Sequence, residues 1–289
     1  MDKQSYLIVP NDIIYEHDEY ELITYISLLM NRQLMDTTIV ATSIMDICRT
    51  ARYSCVDRRK NSYYSAIKGI LEQFQYNGWI TEIIQKDDKT KGKINPSELF
   101  KIKLSDFFFP ETNYTSITIK ELNAILNCPE YKSKASLVRV FLYAKSFMQI
   151  AYTGGSQSTI SAYYVAGDVA ANALQMSRNK YDLCINVLCG LNLLICHQTG
   201  SYHSEFGIRN APNIYVLNNK DAQRNIQGGL SRLKYKLLKS GYGNKDKDFM
   251  PIVYNGKAIK KKEKPTTDNM FNDDEDYSDW GLPNPMSRN

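Results

Sequence analysis

The stretch "VDRRKNSYYSAIKGILEQFQYNGWITEI" (residues 56–83) places Arg58, Arg59 and Lys60 in the expected first turn of a helix. The positive end of a helix dipole disfavours each such cation by about 0.3–1 kcal/mol, so the arrangement calls for an anionic partner. Asn61, Ser62 and Ser65 share a side of that helix with Arg58, and Lys68 sits at its edge. This set has the chemistry of major-groove reading, because Arg suits guanine, Asn suits adenine, and Ser serves bases or phosphates. Phosphate contacts would offset the dipole cost and fix orientation. Downstream, Lys89, Lys91 and Lys93 flank Gly92 in a turn-like segment suited to a neighbouring backbone or minor groove. The expected partner is double-stranded DNA, with Arg58, Arg59, Lys60, Asn61, Ser62, Ser65, Lys68, Lys89, Lys91 and Lys93 as its main contacts.

The elements around these residues fit that task. Asp18 is placed to cap a helix "EYELITYISLLMN", and Thr37–Thr42 is a β-branched run. Ser43 opens a short helix, "IMDICRTAR", and a turn near Tyr53 leads into the helix with the basic start. In that helix Tyr63, Ile67, Ile70, Leu71 and Phe74 form one apolar face. Gly78 is suited to a left-handed cap, and "WITEIIQ" and "ELFKIKL" read as a strand pair. Three helices followed by a hairpin is a winged helix-turn-helix arrangement.

A looser copy follows. "TSITIKELNAIL" precedes a helix, "SKASLVRVFLYAKSFM", with Leu137, Val140, Phe141 and Ala144 on one face. Beyond a Gly/Ser loop, residues 163–198 read as short helix, turn, longer helix and strand, with "APNIYVLN" as the returning strand. Ser177-Arg178-Asn179-Lys180 echoes Asp57-Arg58-Arg59-Lys60, which adds Arg178, Asn179 and Lys180 to the candidate DNA contacts. A wheel centred on Val187 points Tyr181, Asp182, Ile185 and Cys189 outward with Arg178, a face better suited to packing than to DNA. The fold class expected is mainly α with small β wings: tandem winged helix-turn-helix domains at 1–110 and 111–220, a basic helix at 221–245, and a disordered tail at 246–289.

Charge is segregated along the chain. Residues 1–48 carry 2 basic and 8 acidic groups, residues 49–103 carry 12 and 6, and residues 221–264 carry 12 and 4. That polarity implies a localised electrostatic footprint. In "GGLSRLKYKLLKSGYGNKDK" leucines and cations alternate as in a basic amphipathic helix docked by its leucines, and "KAIKKKEKP" can add phosphate contacts without reading sequence. The sign then reverses in "DNMFNDDEDYSDWGLPNPMSRN", where Tyr277 and Trp280 sit among acidic residues. They read as a short motif for a basic, apolar groove on a partner, as a brake folding back on basic surface, or as a solubilising tail.

Catalytic signals are sparse. No G-x-x-x-x-G-K-[ST] loop occurs, and the three histidines, His17, His197 and His203, form no H-E-x-x-H. The six cysteines contain no C-x-x-C pair and read as reduced, buried thiols. No catalytic residue, metal or cofactor is expected. No apolar run reaches the roughly 18–20 residues of a membrane span and the start has no signal-peptide pattern, so a cytoplasmic protein away from membranes is expected.

The opening "YLIVPNDIIY…ELITYISLLMNR", with the segment through "GWITEI", resembles replication proteins of low-GC Gram-positive bacteria and their mobile elements. It is similar to the N-terminal winged helices of DnaD-like proteins and of phage or plasmid initiators. The duplicated pattern resembles tandem winged-helix plasmid initiators, whose two domains contact repeated origin sequences. The resemblance implies a sequence-specific DNA-binding protein for DNA replication, in initiation or replisome recruitment for a plasmid, phage or integrated element. Two alternatives stay open on the same residues: a transcription regulator of the element, and a winged-helix protein-interaction adaptor. Homodimerisation through the second unit is compatible with each.

Overall fold

The computed structural model describes residues 6–32, 38–53, 63–85, 97–149, 161–204 and 207–239. The candidate contacts Arg58, Arg59, Lys60, Asn61, Ser62, Lys89, Lys91 and Lys93, and the tail with Tyr277 and Trp280, lie outside these residues.

Strand β1 (Tyr6–Pro10) runs into a short helix, α1 (Asn11–Tyr15). Helix α2 (Glu19–Met30) starts where its sequence says it should. The Asp18 carboxylate accepts from the Tyr20 and Glu21 N–H groups, and Glu21 returns a bond to the Asp18 N–H. Such a reciprocal box satisfies donors that a helix start otherwise leaves open. Next come β2 (Ile39–Thr42), α3 (Ile44–Thr50) capped by Ser43, α4 (Tyr63–Tyr76), β3 (Ile80–Gln85) and β4 (Phe100–Leu104). The sheet order is β2-β4-β3, all antiparallel. The apolar face expected for α4 is the face it buries: Tyr63, Ile67, Ile70, Leu71 and Phe74.

The same order then recurs. β5 (Tyr114–Thr118) and α5 (Ile119–Leu126) precede α6 (Lys134–Gln149). β6 (Ala162–Tyr163), α7 (Gly167–Ala173), α8 (Arg178–Gly190), β7 (Leu194–His197) and β10 (Ile214–Leu217) follow, with sheet order β6-β10-β7. A separate hairpin, β8 (Ser201–Ser204) and β9 (Gly207–Asn210), extends the connection between β7 and β10.

Helix endings match as closely as element order. Arg52 after α3 and Gln175 after α7 both have positive φ, as do Gly78 after α4 and Asn192 after α8. At each of these four corners the positive-φ residue bonds back three positions and its successor bonds back five. This pattern closes the last turn and satisfies its carbonyls. Glycine is used at one corner only; Asn tolerates the left-handed region better than most residues.

The two units share one core. β1 pairs antiparallel with β5, from Tyr6 opposite Thr118 to Pro10 opposite Tyr114, so the opening strand of one unit lies on that of the other. Asn11 and Asn113 bond each other at 3.0 Å, and Thr115 donates to Asn11 at 2.7 Å, latching the end of this ribbon. α2 packs on α6 between the units. The one-faced pattern expected of α6 is not what the molecule uses. Ala135, Leu137, Val138, Val140, Phe141, Leu142, Tyr143 and Ala144 are all buried, because neighbours surround the helix on every side.

Helix α9 (Ala222–Lys239) supplies the amphipathic segment expected there and begins at Ala222. Ile226 and Leu233 pack on Ala162, Ile214 and Val216, on the sheet face opposite Tyr163 and Leu194. Gly229 permits this approach: a Cβ there would stand 2.9 Å from Ala162 Cβ and 3.1 Å from Ile214 Cγ2. Gly229→Ala is therefore expected to lower stability by about 1–3 kcal/mol, visible as a lower thermal unfolding midpoint. Gln227→Ala, on the exposed side of the same helix, should leave the midpoint nearly unchanged.

Candidate nucleic-acid interface

The last helix of each unit before its closing strands, α4 and α8, offers the outward surface on which DNA contacts were expected. The chain on either side of residues 54–62 is firmly held. The Tyr53 and Tyr63 rings lie 4.7 Å apart, and Tyr20 stacks on Tyr63 at 5.4 Å. The Tyr63 hydroxyl pairs with Thr24 at 3.0 Å, and the Tyr53 hydroxyl accepts from the Ala135 N–H at 3.3 Å. Burial pushes both phenols well above their ordinary pKa, so both stay neutral. Tyr53 and Tyr63 thus belong to one aromatic cluster beside the start of α6. On α4 itself Ser65 and Gly69 are exposed, while Lys68 is half-buried and 3.7 Å from Glu72.

The second unit differs from expectation in three respects. First, the outward face of α8 is not the one derived from a wheel centred on Val187. Tyr181 and Ile185 are buried with Cys184 and Leu188. Arg178, Asn179, Leu183, Asn186 and Gly190 are exposed, with Asp182 partly exposed beside them, so of the expected outward set Arg178 alone is exposed. That face is more polar than expected. Second, the equivalence of Ser177–Lys180 with Asp57–Lys60 does not hold. Tyr181, Cys184, Ile185 and Leu188 repeat the spacing of Ile67, Ile70, Leu71 and Phe74. Counting back from these matched faces, Ser177 falls opposite Tyr63, and Asn179 opposite Ser65.

Third, Lys180 turns into the molecule. Its ammonium donates to both oxygens of Glu19, at 3.1 and 3.2 Å. The same carboxylate accepts from Ser136 at 2.6 Å and from Ser133 at 3.3 Å. Lys180 is therefore a tie between α8 and the starts of α2 and α6, not a contact for an external anion.

Arg178 is half-exposed but engaged. It bonds Asp182 at 2.8 Å and lies 3.7 Å from Asp168. The Asp182 bond, more than anything else, raises its pKa. A Cβ at Gly167 would stand 2.4 Å from the Arg178 guanidinium carbon, so the side chain lies flat over the start of α7. With two carboxylates beside it, Arg178 offers less net charge to an anion than its type suggested, and Asn179 is the candidate left free-standing on the surface.

A second buried cation ties the units, in a role that was not legible in the sequence. Arg139 on α6 donates to the Ile14 carbonyl at 3.0 Å, the Tyr15 carbonyl at 3.4 Å and the Leu174 carbonyl at 3.0 Å. These carbonyls end α1 in one unit and cap α7 in the other, where a cation is favoured. Burial lowers the Arg139 pKa from its ordinary value, and the carboxylates of Glu19, Asp18 and Glu21 act against that shift. The only legible signal for Glu19 and Arg139 was a charge at a helical position, because their partners are distant in sequence.

Among the described residues no three His, Cys, Asp or Glu side chains converge as metal ligands would. His17 packs on the Trp79 ring at 5.0 Å and pairs with Glu21 at 3.1 Å. Burial pushes the Cys184 and Cys189 thiols up to about 11, so both are protonated near neutrality and are weak ligands and nucleophiles. No described helix is long and apolar enough to cross a membrane.

No protein-family model matches the chain, and no curated protein sequence matches it significantly.

The Glu19–Lys180 pair is nearly buried, with 9% and 13% of the side chains exposed. Removing one partner of such a pair strands the other, so Glu19→Ala is expected to cost about 3 kcal/mol in a chemical denaturation curve. Lys180→Met added to Glu19→Ala should recover part of that loss, giving a coupling of about 1 kcal/mol or more.

Proposed function

We propose that this chain is a sequence-specific, double-stranded-DNA-binding protein built from two winged-helix units, and that it is not an enzyme. The observation that carries the reading is the duplicated order of helix, strand, helix, helix, strand, strand with the central return strand and the four matched helix corners. In this architecture the third helix enters the major groove and the hairpin flanks it. Arg58, Arg59, Lys60, Asn61, Ser62 and Ser65 are assigned to the first reading head, with Lys89, Lys91 and Lys93 in its wing. Asn179 and Asn186 give the second head an adenine-reading chemistry.

The role proposed is replication initiation or replisome recruitment for a mobile genetic element, in the cytoplasm. This role rests on the resemblance of the opening segment to replication proteins of such elements. Tyr277 and Trp280 in the acidic tail are assigned to a replication partner. A transcription regulator would use the same reading heads, and a plasmid-maintenance assay with the gene and its flanking DNA separates the two roles.

The second unit also supports a protein-contact reading. Val169 is 54% exposed and Leu183 36% exposed on α7 and α8, next to the neutralised Arg178. Such a mixed face suits a second copy of the chain as well as DNA.

The test is fluorescence anisotropy with the DNA flanking the gene against scrambled DNA across a salt series. Wild type should prefer the flanking DNA. Arg58→Ala/Asn61→Ala should lose about 1–3 kcal/mol for each base contact removed, and Asn179→Ala/Asn186→Ala should lose less. Equal affinity for both DNAs, unchanged in the first variant, would sink the proposal.

A further inference from the structure

Helix α9 contains no acidic residue between Ala222 and Lys239, and its sequence carries Arg224, Arg232, Lys234, Lys236 and Lys239. Its apolar side is used up on the sheet, where Ile226 and Leu233 are buried. Its other side presents Arg224, Gln227, Ser231, Lys234 and Tyr235 to solvent, spaced as one stripe three and four residues apart. Tyr235 is 68% exposed, an uncommon position for an aromatic ring with a core available a turn away. A ring beside the exposed Lys234, with the exposed Arg224 further along the stripe and no carboxylate on the same helix, is the composition of a stacking platform on an electropositive track.

The place of this stripe in the fold narrows its partner. Along β10, Ile214 and Val216 face α9, while Tyr215 and Leu217 face the core beneath α6 and α8. The sheet therefore separates α9 from α8. A straight duplex seated on the outward face of α8 does not also lie along α9. A single strand, flexible and with its bases free to stack, does not have that restriction.

We infer that the outer stripe of α9 binds single-stranded nucleic acid, with Arg224 and Lys234 on phosphates and one unpaired base stacked on Tyr235. This site takes the nucleic-acid reading of the protein as its setting, but does not depend on which face reads duplex DNA. Recognition is indifferent to sequence, since every base offers a ring face.

The experiment uses the full chain and a labelled oligo-dT of about 16 nucleotides, the upper site size for a small binding module, with a duplex of equal length in parallel. Tyr235→Ala should weaken oligo-dT binding about 5- to 150-fold, whereas Tyr235→Phe keeps the ring and should bind like wild type. Arg224→Ala and Lys234→Ala should each reduce the slope of log affinity against log salt by about 0.7. Duplex binding should be unchanged in Tyr235→Ala. Unchanged oligo-dT affinity in Tyr235→Ala would overturn the inference, as would an equal loss on both nucleic acids. Failure of flanking-DNA selectivity with oligo-dT binding intact would remove the duplex reading and leave this site standing. Because Tyr235, Arg224 and Lys234 are exposed, circular dichroism melts of the variants should match wild type.

Discussion

Two oppositely charged side chains, Glu19 and Arg139, gather the polar contacts of the seam between the units. Glu19 opens α2 and accepts from Ser133, Ser136 and Lys180, so one carboxylate gathers both units at the start of three helices. Arg139, in the middle of α6, takes the terminal carbonyls of α1 and α7. Neither charge is tolerable in that setting without its partners, since an uncompensated buried ion costs several kcal/mol. The seam therefore admits few relative placements of the two units. Apolar packing of α2 against α6 supplies most of the attraction, and the polar groups supply the register.

This seam also explains how the two copies diverged while keeping one topology. The last helix of the first unit is held by its apolar stripe and by the Tyr63 hydroxyl on Thr24. The last helix of the second unit is tied at its first turn as well, through Lys180, and its other early cation is occupied by Asp168 and Asp182. The second sheet is covered by α9. On the corresponding side of the first sheet, Lys101 and Lys103 remain exposed. The first unit thus leaves sheet surface exposed where the second is covered, and the second carries more of the joinery.

What could be read in the sequence depended on how much each element is decided by its own residues. The buried face of helix α4 was legible, since Tyr63, Ile67, Ile70, Leu71 and Phe74 leave one choice of face. Asp18, Ser43 and Gly78 marked helix ends through local bonds or a local backbone requirement. Helix α8 was misphased because apolar residues occur around much of its circumference: Leu183, Val187 and Cys189 compete with Tyr181, Cys184, Ile185 and Leu188. Only packing decides between such stripes. Arg139 and Lys145 made α6 look half-solvated, but both find partners inside, Lys145 on Glu121 at 2.7 Å. The β1–β5 ribbon was invisible for the same reason, since neither strand implies the other. Of the candidate site, the residue types were legible, while the inward turn of Lys180 depended on a residue 161 positions away.

The β1–β5 ribbon has a consequence for the life of the chain on the ribosome. Residues 6–10 are made about a hundred residues before their hydrogen-bonding partner, residues 114–118. At about 5–20 residues per second, the opening strand waits several seconds with an unpaired edge, a surface that invites pairing with other chains. Pro10 and the immediate turn into α1 keep that edge short. The first unit can gather its helices during synthesis, but its outermost strand is completed only when the second unit arrives. The nascent half-protein is thus an open form, and closure comes with the sequence that supplies the partner strand.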